Sequence, residues 1–254
     1  MSKTIEQLQN EYNQVFNLLN FDENDLDYTI LKKHIEYLEK IDEYCNSIFV
    51  IFDLFKKKHL FVSKNAERIL HFNLELASSD ESYFDLRIHP NDVPLILEAG
   101  TYFLRYGLLL PTDEKKDSKL VNEYRLLNGR EEYVRVIEQQ MCLELDIRGN
   151  VWLALGIMDI SPEQNVETSF QSRLINIKSK EVFHFPPKTE EDLLTIRETE
   201  VLKLIAKGLI SKQIADKLFI SINTVNTHRQ RILEKLNAGN IIEAIHYASM
   251  LRII

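Results

Sequence analysis

The sequence predicts an α+β segment, an antiparallel sheet with helices on one side of it, followed by an all-α segment of four short helices. Three observations predict this. Five short runs rich in β-branched and aromatic residues lie between Ser47 and Ile160, and the last three are separated by Asn128-Gly129 and Arg148-Gly149-Asn150, residues that suit tight turns between antiparallel strands. Beyond Thr195 the apolar residues change to helical spacing, punctuated by residues that start and stop helices. Charge divides at the same place. Residues 195–254 hold nine Lys/Arg against five Asp/Glu, whereas the preceding 194 residues hold 22 against 34, so an acidic chain of net charge −8 ends in a basic tail.

Residues 1–42 form an N-terminal helical segment. Ile5, Leu8, Tyr12, Val15, Phe16 and Leu19 share helical spacing, Phe21 to Asp25 interrupts it, and Ile30, Leu31, Ile35, Leu38 and Ile41 resume it. Such a helical hairpin packs either on the next domain or on a second copy of itself. The sheet domain spans 43–163. Its strands are Ser47 to Phe52, Lys58 to Val62, Leu120 to Leu127, Glu132 to Leu145 and Val151 to Ile160. Ser63 to Leu70 is a short helix, and His89-Pro90-Asn91-Asp92 opens a longer one through Leu95, Ile96 and Phe103. Residues 164–192 read as a linker, with helix expected over 169–177 and a stiff break at Pro186-Pro187. Residues 193–254 are the all-α domain.

That order of strands and helices resembles a PAS domain. The residues that carry the resemblance are Ser63-Lys64-Asn65-Ala66, Ile88-His89-Pro90-Asn91-Asp92, Tyr124 through Gly129, and Trp152 through Ser161. The resemblance implies a PAS-like sensor domain with a cavity between sheet and helices, and signal output from the end of the last strand. Two readings of the cavity stay open: a small-molecule site, or a filled core in a domain that serves dimerisation. No cofactor is evident. Cys45 and Cys142 are not in the helical motif of flavin-type photosensors, and His71 and His89 suggest a haem ligand only by residue type. Ile48 to Asp53 resembles a phosphoacceptor strand, but the acidic pair that a receiver needs on an earlier strand is missing, so Asp53 is not read as a phosphorylation site.

In the tail, Thr195 followed by Glu198 makes a capping box. Val201, Leu204 and Ile205 form an apolar stripe, and Gly208 suits the left-handed turn that ends a helix. Ser211 is expected to cap a second helix with Ile214, Ala215 and Leu218 inside. Ser221 caps a third with Val225, Ile232 and Leu236 inside. Two short helices joined by a tight turn, the second with a polar face, is the geometry that seats a helix in the DNA major groove. The third helix exposes Asn223, Thr224, Asn226, Thr227, Arg229, Gln230 and Arg231. Amides pair bidentately with adenine and guanidinium groups with guanine.

The tail resembles the LuxR/GerE-type helix-turn-helix, matching at Leu194, Thr195, Arg197, Glu198, Val201, Leu202, Gly208, Ser211, Ile214, Ala215, Leu218, Ser221, Thr224, Val225, His228, Lys235 and Leu236 among others. The resemblance implies a four-helix domain whose third helix reads DNA and whose fourth forms a two-fold contact. Base-contact candidates are Asn223, Asn226, Thr227, Gln230 and Arg231. Phosphate-contact candidates are Lys212, Gln213, Thr224, Arg229 and Lys235. Ile242, Ile245 and Met250 on the fourth helix are the dimerisation candidates. Asn226 and Gln230 stand where the family commonly has basic residues, so an A·T-leaning site is expected.

The implied partners are double-stranded DNA, a second copy of the chain and RNA polymerase. No apolar run reaches the roughly 18 residues of a membrane span. The first residues, Met1 to Gln9, lack a signal peptide's apolar core. A cytoplasmic protein with reduced thiols is expected. No phosphate-binding glycine loop, nucleophile elbow or metal-spaced cluster is present, so catalysis is not expected. The rival reading is a protein-interaction module whose helix-turn-helix no longer binds DNA, favoured by the acidic total charge and by Asn226.

Overall fold

Strand β1 (Ile48–Asp53) is apolar at consecutive positions because both of its faces are covered. Ile48 and Val50 join a buried cluster with Leu70, Phe72, Tyr124 and Met158. Phe49 and Ile51 point the other way, into a second cluster with Leu38, Trp152 and Leu153. Helices were expected on one side of the sheet. They lie on both, because the N-terminal segment supplies α2 (Tyr28–Asp42), whose Leu31, Ile35 and Leu38 cover the second face. Asp53 is fully buried at the end of β1. Its carboxylate accepts the Phe55 and Lys56 N–H groups at 2.8 and 2.9 Å and the Tyr28 hydroxyl at 2.7 Å, which fixes the turn into β2 (Lys58–Val62).

The computed structural model describes residues 3–80, 82–178, 180–185, 194–236, 238, 240–250 and 254. The chain divides into two compact units, Met1–Phe185 and Pro186–Ile254. In the first unit, α3 (Asn65–Leu70), α4 (Leu74–Ser79) and α5 (Val93–Leu109) follow β2. The strands β3 (Ser118–Leu127), β4 (Tyr133–Leu145), β5 (Val151–Ile160), β6 (Gln171–Asn176) and β7 (Glu181–Phe185) complete a seven-stranded sheet of order β2-β1-β5-β4-β3-β6-β7. Every neighbouring pair is antiparallel. The α+β class and all five expected strands stand.

The reading of 164–192 as a linker with a helix at 169–177 is corrected. Gln171–Asn176 pairs with β3 and with β7, and both strands belong to the first unit. The chain between β5 and β6 is tied back to the sheet. The fully buried guanidinium of Arg135 donates to the Thr168 carbonyl and pairs with Glu123 at 3.2 Å, while the Gln164 amide donates to the Arg135 and Ser161 carbonyls at 2.9 and 2.6 Å. Pro186-Pro187 lies outside the described residues.

The N-terminal helices pack on the sheet domain. Helix α1 (Ile5–Phe16) begins with a capping box between Thr4 and Gln7 and packs on α5. Gly100 permits this approach, since a Cβ there would sit 3.0 Å from the Tyr12 ring. Between sheet, α1 and α5 lies a cavity of about 270 Å³, so the core is not filled.

Gly129 ends the β3 hairpin against the backbone of His71, where an added Cβ would fall 1.7 Å from the His71 carbonyl oxygen. The Gly129 N–H donates to the Leu70 carbonyl at 2.8 Å, so the turn cannot back away without losing that bond. Gly129→Ala is expected to destabilise the first unit by about 1–3 kcal/mol, read as a lowered urea midpoint at unchanged slope.

Candidate nucleic-acid interface

The second unit is built from α6 (Ile196–Ala206), α7 (Ser211–Leu218), α8 (Ile222–Lys235) and α9 (Ile241–Met250). Val201, Leu202, Ile214, Val225, Ile232, Ala244 and Ala248 are buried among them, the inward stripes that helical spacing requires. The Thr195 hydroxyl accepts from the Glu198 N–H at 3.2 Å and the Glu198 carboxylate accepts from the Thr195 N–H at 2.8 Å, completing the expected capping box. Gly208 takes the left-handed conformation at φ +84°.

Helix α7 starts one residue earlier than expected. Ile210 is its N-cap and Ser211 its first residue. The signal that decides this is Gln213, whose side-chain oxygen accepts the Ile210 N–H at 3.0 Å, the reciprocal half of a capping box, while the apolar Ile210 side chain makes no capping bond. Phe219, in the left-handed region at φ 54°, turns the chain toward α8. The Arg197 guanidinium donates to the Leu218 carbonyl at 2.7 Å, tying α6 to the end of α7. Ser221 caps α8, accepting from the Thr224 N–H at 3.0 Å.

With Val225 and Ile232 buried, α8 turns the opposite face outward. Asn223, Asn226, Thr227, Gln230 and Arg231 are all exposed on it. The Thr227 hydroxyl donates to the Asn223 carbonyl, and the Gln230 amide donates to Glu234 at 3.0 Å. A base edge would have to replace the second of these bonds. Among the phosphate candidates, Lys212, Gln213 and Thr224 are exposed and Arg229 is half-buried. The Thr224 hydroxyl is bonded to that of Ser221 at 2.8 Å.

Lys235 is placed differently from expectation. Its ammonium lies 2.9 Å from the buried Glu198 carboxylate, binding the end of α8 to the start of α6. Burial alone would push the Glu198 carboxyl up. The Thr195 N–H, the Lys235 ammonium and the Thr195 hydroxyl outweigh it and hold the carboxyl below its ordinary value. Spacing in the sequence could not reveal this pair, which joins residues 37 apart. His228 is half-buried and its Nδ1 has no hydrogen-bond partner. On α9, Ile242 is exposed and Ile245 half-buried, while the Met250 side chain lies outside the described residues.

Residues 192–248 match the family model described as bacterial regulatory proteins, luxR family. The C-terminal unit is a luxR-family helix-turn-helix domain. Within it, this chain is 48% identical over 56 residues to the oxygen regulatory protein NreC of Staphylococcus carnosus, covering 22% of this chain and 26% of that protein. Of the curated relatives it matches, the chain spans about a quarter to a third of the length. Two solved structures are similar over more of the chain. The phage VqmA–DPO complex covers 86% of this chain and 87% of its own at 18% identity and a TM-score of 0.33. A PAS domain from Colwellia psychrerythraea covers 52% and 97% at 18% identity and a TM-score of 0.39. No helix among the described residues is long and apolar enough to cross a membrane.

Proposed function

We propose that this protein is a sequence-specific transcription regulator that reads double-stranded DNA with α8 and is regulated or dimerised through its first unit. The observation that supports this most is the exposed face of α8. Amide and guanidinium groups are gathered there, Val225 and Ile232 fix the helix on its other side, and Ser221 fixes its start. Such a face can present several donors and acceptors to one groove. A homodimer suits the role, because one small helix-turn-helix specifies too few base pairs alone. Ile242 and Ile245 on α9 are the proposed contact, continued by Met250. RNA polymerase is the proposed partner of the transcriptional output. The role is cytoplasmic and needs no catalysis.

Asn223, Asn226, Thr227, Gln230 and Arg231 are assigned to base edges. Lys212, Gln213, Thr224 and Arg229 are assigned to phosphates. Lys235 is left out of the phosphate set because Glu198 engages it. Asn226→Ala and Gln230→Ala are each expected to cost about 1–3 kcal/mol at the best site and to broaden the sites accepted. Lys212→Ala is expected to weaken binding to all duplexes alike and to lower the salt slope by about one. Fluorescence-anisotropy titrations across a salt series check both. A changed sequence preference in Lys212→Ala would overturn this division of roles.

A further inference from the structure

The cavity of the first unit collects acids at one end. On the cavity face of the sheet, Asn122 of β3 stands directly opposite Glu138 of β4, so their side chains are neighbours. The Tyr124 hydroxyl donates to Glu138 Oε2 at 3.1 Å. Asp85 and, from α1, Tyr12 face the same space. Burial pushes both carboxyls up, and Glu138, Tyr12 and Tyr124 each feel a neighbouring carboxylate as well.

Among the described lining residues, no cation is available to this end. Burial pushes His59 down to about 4, so it is neutral at physiological pH. Lys115, the ammonium among the described lining residues, donates to the Gly149 carbonyl at 2.7 Å and feels Cys142 and Asp146 rather than Asp85 or Glu138.

Two further side chains of β3 point to a ligand independently of the acids. Asn122 is 1% exposed and its Oδ1 accepts no hydrogen bond; Ser118 is 3% exposed and its Oγ has no partner. Both line the cavity. A buried amide oxygen without a donor is an unfavourable arrangement that an apolar residue of similar shape would relieve. The Gln140 side chain already meets Glu138 from the cavity wall; the other acceptors at this end, the Asp85 carboxyl and the Asn122 amide oxygen, suit further N–H donors. Phe16, Phe52 and Phe84 line the same cavity and give it aromatic walls. An anion would bring a further negative charge to a place where burial already disfavours the charge of two carboxyls.

We propose that this cavity binds a small organic cation bearing N–H donors, a protonated amine or amidine, held by Glu138, Asp85 and Asn122 Oδ1 with its apolar body among the aromatic rings. At about 270 Å³ the space suits a molecule smaller than a drug-sized ligand. Helix α1 supplies Tyr12 and Phe16 to the wall, so the N-terminal segment is part of the binding site. The site deepens the regulatory half of the function proposed above and rests on that reading for its purpose.

Calorimetric titration of the full chain with three probes of one shape tests it: benzamidine, benzamide and benzoate. Because the titration reads ligand binding alone, its failure leaves the DNA-binding reading standing. Benzamidine is expected to bind at least about tenfold more tightly than benzamide, and benzoate not to bind in the millimolar range. Glu138→Gln should erase the preference for the cation. Asn122→Leu should weaken benzamidine at least about tenfold and raise the melting temperature of the unliganded chain, since it removes the unpaired amide. Equal binding of benzamide and benzamidine, or no binding by any probe, overturns the proposal. So does an Asn122→Leu chain that melts lower and binds benzamidine unchanged.

Discussion

Glu198→Ala is expected to unfold most of the C-terminal unit at room temperature. The side chain is 2% exposed, and its Oε2 accepts both the Thr195 N–H at 2.8 Å and the Lys235 ammonium at 2.9 Å. Truncation removes the Glu198 half of the capping box, at a cost of about 1 kcal/mol. It also takes the carboxylate away from the Lys235 ammonium in a largely buried position. Breaking a buried pair costs about 3–5 kcal/mol, and the residual exposure of Lys235 places this one near the lower end. At about 0.05–0.15 kcal/mol per residue, a unit of this size has little more to lose. Glu198→Gln keeps an acceptor for the Thr195 N–H and is expected to cost less, about 1–2 kcal/mol. Urea unfolding followed by circular dichroism checks the pair, and equal midpoints for wild type and Glu198→Ala would refute the role given to this carboxylate.

The same pair sets an acid limit. The folded Glu198 carboxyl is held below its ordinary value, so its contribution is fully present above the ordinary carboxylate range. It is lost as pH falls through the depressed folded value. The C-terminal transition should therefore move to lower urea on acidification below about pH 4.5, and Glu198→Gln should flatten that dependence.

Asp92→Ala is expected to damage the first unit on a similar scale. Asp92 was expected to open α5, and it does stand at the N-cap, but its side chain makes no capping bond. It reaches instead to β3, where it accepts the Arg125 N–H at 2.9 Å, Nε at 3.0 Å and Nη2 at 2.6 Å. The carboxylate is 1% exposed and the guanidinium is largely buried. Removing it takes the acceptor from the Arg125 N–H, Nε and Nη2 and leaves the guanidinium only its bond to the Val166 carbonyl among those described, at a cost of about 3–5 kcal/mol. Arg125→Lys should cost less, since an ammonium keeps the charge and loses the two-pronged geometry. Thermal unfolding of both variants checks this, with Asp92→Ala expected to melt well below Arg125→Lys.

The helix-turn-helix was legible because its signals are local. A capping box, a left-handed glycine and Ser221 at a helix start each act within four residues, and the inward stripes follow from spacing. Two slips arose there: Ser211 was read as the cap where Ile210 holds that place and Gln213 accepts its N–H, and Lys235 was read as a phosphate contact where Glu198 engages it. Strand β6 was read as helix because its inward residues are Ser172, Leu174 and Asn176, a polar set that hides the alternation. It is held by long-range bonds such as Asn176 to the Tyr106 hydroxyl at 2.9 Å, which no window of sequence contains. The second covered face of the sheet was missed for a related reason. The unbroken apolar run of β1 is ambiguous until α2 is seen to lie on it. The acid end of the cavity is likewise assembled from α1, β3, β4 and the turn at Asp85, elements far apart in the chain.

Selection of bound sequences from a random duplex pool by the full chain tests the central claim most directly, run beside Asn226→Ala at the same salt concentration. A regulator that reads DNA through α8 enriches a paired motif, and Asn226→Ala loses information at matching positions of both half-sites. A pool that leaves the protein unenriched, together with no salt-dependent retention of any duplex, would contradict DNA reading by this domain and favour the protein-interaction alternative.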